Sequence, residues 1–232
     1  MAGWFSPLDF DLFNWFLSRP GEPGDLLEIG VFKGQSAVVI GANQHAGERF
    51  TVCDIFERSD YEGLARKDFE AAYLRFHSRL PEIVDDTSLN IRNYVASQSC
   101  RFIHVDGSHM YETVKEDVAA SIDLASHNAV VVFDDYRSIQ TPGVAAAVWA
   151  ACTEERLFPI CGSQVKLYAT VSPSGPLLDE LGKWLDTTDL LHERQRVLGG
   201  EMFWVSPPPP SRRSAISELI TAAIRDRLMP RK

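Results

Sequence analysis

Three aspartates, Asp106, Asp134 and Asp135, stand at the abrupt ends of short apolar runs rich in β-branched residues. Phe102–Val105 precedes the first, and Ala129–Phe133 precedes the pair. An ionised carboxylate is an acceptor-only group, suited to holding a cation, orienting a hydroxyl or taking up a proton. His109 follows Asp106 by three positions, and an imidazole can take up a proton, which makes it a second candidate proton acceptor after Asp106. His104 lies inside the first apolar run and reads as a hydrogen-bonded histidine of the core.

What brings these residues together is the pattern between them. Val114, Val118, Ile122 and Ala125 recur on one face of a helix, with Lys115, Glu116, Asp117 and Asp123 elsewhere. Strand, helix and strand with both strands buried is a βαβ unit, so the strands run parallel and their carboxyl ends share one edge of a sheet. Ligands of open α/β sheets bind off that edge. Further strand patterns fall at Asp25–Gly30, Phe50–Phe56, Glu82–Thr87, Arg156–Gly162 and Gln164–Val171. Helical patterns fall at about Gln35–Ala42, at Glu62–Leu80 and at Thr141–Ala151. The expected fold is therefore α/β: a Rossmann-like, doubly wound, seven-stranded and mostly parallel sheet with one antiparallel strand and helical additions at both ends.

The turn after the first strand, Glu28-Ile-Gly-Val-Phe-Lys-Gly34, adds a second chemistry. Glycine at position 30 permits a tight turn and close approach of a ligand to the backbone, and the following helix start favours an anionic group such as an amino-acid carboxylate. The turn is neither the phosphate loop GxxxxGK[ST] nor the dinucleotide GxGxxG. Asp54, 24 positions after Gly30 at the end of the second strand, is placed to accept both hydroxyls of a ribose. A nucleoside lacking a phosphate bridge satisfies both observations, and S-adenosylmethionine is such a ligand.

The blocks Leu-Glu-Ile-Gly-Val-Phe-Lys-Gly-Gln-Ser, Ile-His-Val-Asp-Gly-Ser-His-Met-Tyr-Glu and Val-Phe-Asp-Asp-Tyr, with Asp54 between the first two, resemble class I S-adenosylmethionine-dependent methyltransferases. More narrowly, they are similar to the metal-dependent O-methyltransferases that act on macrolide and aminocoumarin sugars, over roughly Asp25–Val171. The resemblance implies that Glu28, Gly30, Gly34 and Ser36 line the methionine side of the cofactor pocket. By the same token Asp54 anchors the ribose, Phe56 lies nearby, Ser88 stands on the adenine side, and Asp106 borders the cofactor. It also implies that Asp106, Asp134 and Asp135 hold a divalent cation; three carboxylates with water suit magnesium, or manganese or calcium, and disfavour zinc. Asp106 or His109 then serves as catalytic base for transfer of the methyl group to a hydroxyl of a small molecule, a glycoside or polyphenol-like natural product.

Composition bounds the remainder. The 232 residues carry a net charge of −9 with 45% hydrophobic and 24% charged side chains, which fits a globular enzyme and argues against a general nucleic-acid binder. The four cysteines show no metal or disulfide spacing, and the longest apolar stretch, Gly143–Cys152, is far short of a membrane span. A cytoplasmic protein without a membrane partner is expected. The domain organisation read from the chain is a helix or lid at 1–24, with Ser6 as N-cap and Phe5 and Phe10 spaced as a hydrophobic staple. The catalytic domain then runs over 25–172, and 173–232 is an extension with a polyproline stop and an amphipathic helix at Ala215–Leu228. The terminal helices are candidates for homo-oligomer contacts. Two competing functions use the same sheet: a nicotinamide-dependent oxidoreductase, which the missing GxGxxG opposes, and a non-catalytic S-adenosylmethionine-binding module.

Overall fold

The structure is a computed structural model that describes residues 5–21, 23–56 and 65–209. The amphipathic pattern at 215–228 and the first residues of the helical pattern at 62–80 lie outside the described residues.

The chain opens with α1 (Pro7–Ser18), whose start is built as the residue types require: Ser6 Oγ accepts from the Asp9 amide at 3.1 Å and Asp9 Oδ2 accepts from the Ser6 amide at 3.1 Å. The staple forms differently from expectation. Phe10 stays half exposed, and Phe5 reaches past it to meet Phe13 edge to face with ring centroids 5.0 Å apart. Two turns of helix turn Phe13 inward while Phe10 faces out, so Phe13 is the partner the core offers.

Alternation of strands and helices follows: β1 (Asp25–Ile29), α2 (Gln35–Ala42), β2 (Phe50–Asp54), α3 (Arg66–Tyr73), β3 (Glu82–Asp85), a 3₁₀ turn (Ser88–Asn93), β4 (Cys100–Val105), α4 (Tyr111–Leu124), β5 (Ala125–Phe133) and α5 (Pro142–Thr153). β6 (Phe158–Gly162), β7 (Leu167–Thr170), α6 (Gly175–Leu185), β8 (Leu191–Val197) and β9 (Gly200–Ser206) complete it. The α3 helix is shorter than its apolar periodicity suggests. The Tyr73 carbonyl accepts from the amides of Phe76 and His77, turning the chain so that Phe76 and Leu80 are left largely exposed.

The sheet has nine strands in the order β3-β2-β1-β4-β5-β7-β6-β9-β8, not the expected seven. β1 to β5 are mutually parallel, while β7 runs antiparallel to both β5 and β6. The two additional strands form a hairpin joined by Leu198 and Gly199, both at positive φ (49° and 77°), and β9 pairs parallel with β6. A two-residue turn with both φ positive matches the twist of the paired strands. The β8 sequence, Leu-His-Glu-Arg-Gln-Arg-Val, carries polar groups on both faces and shows no period-two apolar signal; it becomes a strand because β9 presents its backbone.

Both faces of the sheet are covered. Period two along β4 and β5 sends Phe102, Val130 and Val132 to the layer with α1, α2, α3 and α6, and Ile103, Val105, Val131 and Phe133 to the layer with α4 and α5. All four cysteines are buried free thiols. Among the described residues no helix is long and apolar enough to cross a membrane.

Candidate active site

The carboxyl ends of three neighbouring strands are laddered into one row. The Gly30 amide donates to Cys53 O at 2.8 Å, the Asp106 amide to Ile29 O at 2.7 Å, and the Asp134 amide to Val105 O at 2.9 Å. Gly30 has φ +80°, and a Cβ there would lie 2.0 Å from the Asp106 carbonyl oxygen. Only glycine lets the β1 turn sit this close to the β4 end.

Asp54 organises the turn that follows. Its Oδ2 accepts from the Val31 amide at 2.8 Å and the Phe32 amide at 3.2 Å, and its Oδ1 from the Phe56 amide at 2.9 Å. A carboxylate has about four acceptor sites, two on each oxygen, so among the described residues these three bonds leave one on Oδ1 for a ligand. Phe32 and Phe56 both sit at positive φ, and Gly34, also at positive φ, is the N-cap of α2. Ser36 is buried in the first turn of that helix.

On the α1 face a buried polar cluster lies below this edge. Glu28 and His104 occupy directly opposed positions of β1 and β4, both wholly buried, and His104 Nδ1 bonds Glu28 Oε1 at 2.8 Å. The Phe13 ring closes on His104 edge to face at 5.1 Å. Among the described residues, His104 Nε2 and Glu28 Oε2 have no hydrogen-bond partner. One ring nitrogen of His104 and one carboxylate oxygen from each of Asp106 and Asp134 lie within 4.8 Å of one another.

Lys166, entering β7, is 1% exposed and donates from Nζ to Asp134 Oδ2, with Phe5 beneath it at 5.7 Å. Asp134 Oδ1 accepts from the Asp135 amide at 2.8 Å. Asp135, at φ 57°, turns its side chain away to His109, whose Nε2 lies 3.0 Å from Asp135 Oδ2. Burial, and after it the Asp134 carboxylate, raises the Asp106 carboxyl well above the ordinary range. Burial opposes ionisation of Asp134 too, but the Lys166 ammonium more than offsets it and holds that carboxyl low. Asp135 is raised by burial and by Asp134, with His109 pulling the other way. Burial works against the charge on Lys166, yet the carboxylates of Asp134 and then Asp106 keep its ammonium favoured. The cluster thus holds carboxylates in excess of fixed cations, and one of them is pushed toward its neutral form. A donor set of carboxylates and a buried imidazole nitrogen without a partner fits a divalent cation.

Residues 27–136 match a family model described as a methyltransferase domain. The chain is similar to class I S-adenosylmethionine-dependent methyltransferases. Among solved structures, a Corynebacterium glutamicum protein aligns with TM-score 0.60 and 13% identity, covering 74% of this chain and 83% of that one. CalS11, a TDP-rhamnose 3'-O-methyltransferase of calicheamicin biosynthesis, aligns with TM-score 0.55 and 17% identity over 72% and 78%. An O-methyltransferase from Bacillus cereus, solved in complex with S-adenosylhomocysteine, aligns with TM-score 0.51 and 17% identity over 72% and 82%. At these identities the likeness is one of fold. No curated protein matches the chain in sequence.

Within residues 27–136, Gly30, Asp54, Asp106, Asp134 and Asp135 stand along one sheet edge, with His109 at its rim through Asp135. Glu28 lies deeper, bonded to His104. Ser88 is at the start of the 3₁₀ turn, near Asp117 on α4, whose two buried carboxylate oxygens have no hydrogen-bond partner among the described residues. Tyr136 is buried and Tyr111 is partly exposed. Two members of the cluster escape sequence reasoning. His104 does make its hydrogen bond in the core, but its place on the same face as Asp106, two positions on, is the sign that it also borders the carboxylates. Lys166 carries a weaker sign: a lysine directly entering the buried strand Leu-Tyr-Ala-Thr needs an anion beside it.

Proposed function

We propose that the protein transfers the methyl group of S-adenosylmethionine to a hydroxyl of a small molecule, a glycoside or polyphenol-like natural product, with a divalent cation held by Asp106 and Asp134 and by the Asp135 carboxylate oxygen that His109 leaves free. The observation that carries this reading is the single sheet edge shared by the Gly30 turn, Asp54 and the three strand-end aspartates. Bound S-adenosylmethionine supplies a methyl group already activated as a sulfonium. A bound cation supplies Lewis acidity that lowers the pKa of hydroxyls placed on it.

The chain's own residues do the rest. Gly30 admits the methionine portion close to the backbone, the amides at the α2 start meet its carboxylate, and Asp54 offers the remaining lone pair on Oδ1 to the ribose. Phe56, Ser36 and Ser88 flank the cofactor. Asp135 fixes one tautomer of His109 by accepting from Nε2, which leaves Nδ1 free to take the acceptor's hydroxyl proton. Asp106, wedged under the row and already short of positive charge, serves better as a cation ligand than as the base. CalS11 acts on a nucleotide-linked sugar, which supports a glycosidic acceptor.

The test is turnover of methyl-labelled S-adenosylmethionine against a panel of glycosides and phenols. Exhaustive chelation should stop the reaction and a divalent salt restore it. Replacing His109 with alanine should lower kcat by about 100-fold or more while leaving S-adenosylhomocysteine affinity near its starting value. Turnover that survives chelation removes the cation from the mechanism. Binding of NAD(P)H in place of S-adenosylmethionine removes the methyltransferase reading altogether.

A further inference from the structure

We propose that His104 is a ligand of the cation through Nε2, making the site a mixed nitrogen and oxygen one of the manganese, cobalt or zinc class, in place of an all-oxygen magnesium or calcium site. This rests on the cation reading above and adds a ligand that the three-aspartate set does not contain.

The His104 ring is wholly buried and Nδ1 is committed to Glu28 Oε1 at 2.8 Å. Glu28 as a carboxylate can only accept, so Nδ1 carries the proton and Nε2 presents a lone pair. Among the described residues that nitrogen meets no donor. Glu28 belongs to β1, on one side of β4, and Asp134 follows Phe133 of β5, on the other side of β4. A His104 nitrogen and oxygens of Asp106 and Asp134 already lie within 4.8 Å of one another, close enough for one ion to reach all three. A carboxylate bonded behind an imidazole orients the ring and raises its basicity toward a metal, which is the role Glu28 fills. Asp134 joins such a site while bonded to Lys166, since among the described residues its Oδ2 accepts from that ammonium and its Oδ1 from one amide. An imidazole donor favours manganese and the later divalent metals over magnesium and calcium.

The experiment uses the whole chain loaded with Mn²⁺ and read by pulsed EPR, which detects hyperfine coupling from a directly bound imidazole nitrogen. Coupling is expected in the parent protein and in His109→Gln, and is expected to vanish in His104→Gln. If His104→Gln does not fold, coupling retained in His109→Gln still identifies His104, because His109 is the other imidazole at the carboxylate row. A competition titration should require Mg²⁺ in about tenfold or greater excess to displace Mn²⁺. Mn²⁺ held without nitrogen coupling overturns the His104 assignment and leaves the three-aspartate site standing. A chain that retains no Mn²⁺ at all overturns both.

Discussion

Asp117 illustrates how one side chain sets the pH dependence of the whole fold. It is buried on α4, and burial pushes its carboxyl up to about 6 against the influence of nearby Ser88. An unfolded aspartate releases its proton near pH 4, whereas the folded protein keeps this one to about 6, so the folded state binds more protons in between. Folded stability attributable to Asp117 therefore falls as pH rises through that window and stays lost above it. Two pH units correspond to roughly 3 kcal/mol. Asp117→Asn should raise the unfolding free energy at pH 7 by up to that amount and match the parent near pH 4, as read from urea melts at both values. A variant weakened equally at both pH values would show that packing of the side chain matters more than its charge.

Helix α1 is an integral part of the sheet's cover. Phe13 is fully buried and meets Phe5, Phe102, His104 and Tyr168, with ring centroids between 5.0 and 6.1 Å. Farther along, Trp15 stacks on Trp184 of α6 at 5.4 Å, tying α1 to α6. Phe13→Ala should cost about 3–5 kcal/mol of stability. Because the same ring closes over His104, metal affinity should fall as well. Thermal unfolding and Mn²⁺ titration of that variant measure the two effects. Unchanged stability would mean that α1 is a mobile lid and not a wall of the core.

For the molecule as a whole, ligand linkage is the most general check on the cofactor. A ligand that binds only the folded chain stabilises it by RT ln(1 + [L]/Kd), about 2.7 kcal/mol at 100-fold its dissociation constant. S-adenosylhomocysteine should therefore raise the melting temperature by several degrees, and Asp54→Ala should abolish most of that rise. No shift at millimolar concentration would sink the cofactor reading.

Chain order alone carried the parallel βαβ core, because buried strands and amphipathic helices advertise themselves through local periodicity. It also carried the Gly30 turn and the row of Asp54, Asp106, Asp134 and Asp135, since a carboxylate ending an apolar run is a local event and parallel connectivity places such ends together. The β8–β9 hairpin escaped because its charged outer strand is stabilised by pairing with β9, which in turn pairs with β6, a nonlocal interaction that leaves no mark in composition. Asp135 turning to His109, and Lys166 and His104 arriving beside Asp134 from other strands, depend on side-chain directions and register. Those are decided only when the strands pack, because a buried charge selects its partner by distance in space and not by separation along the chain.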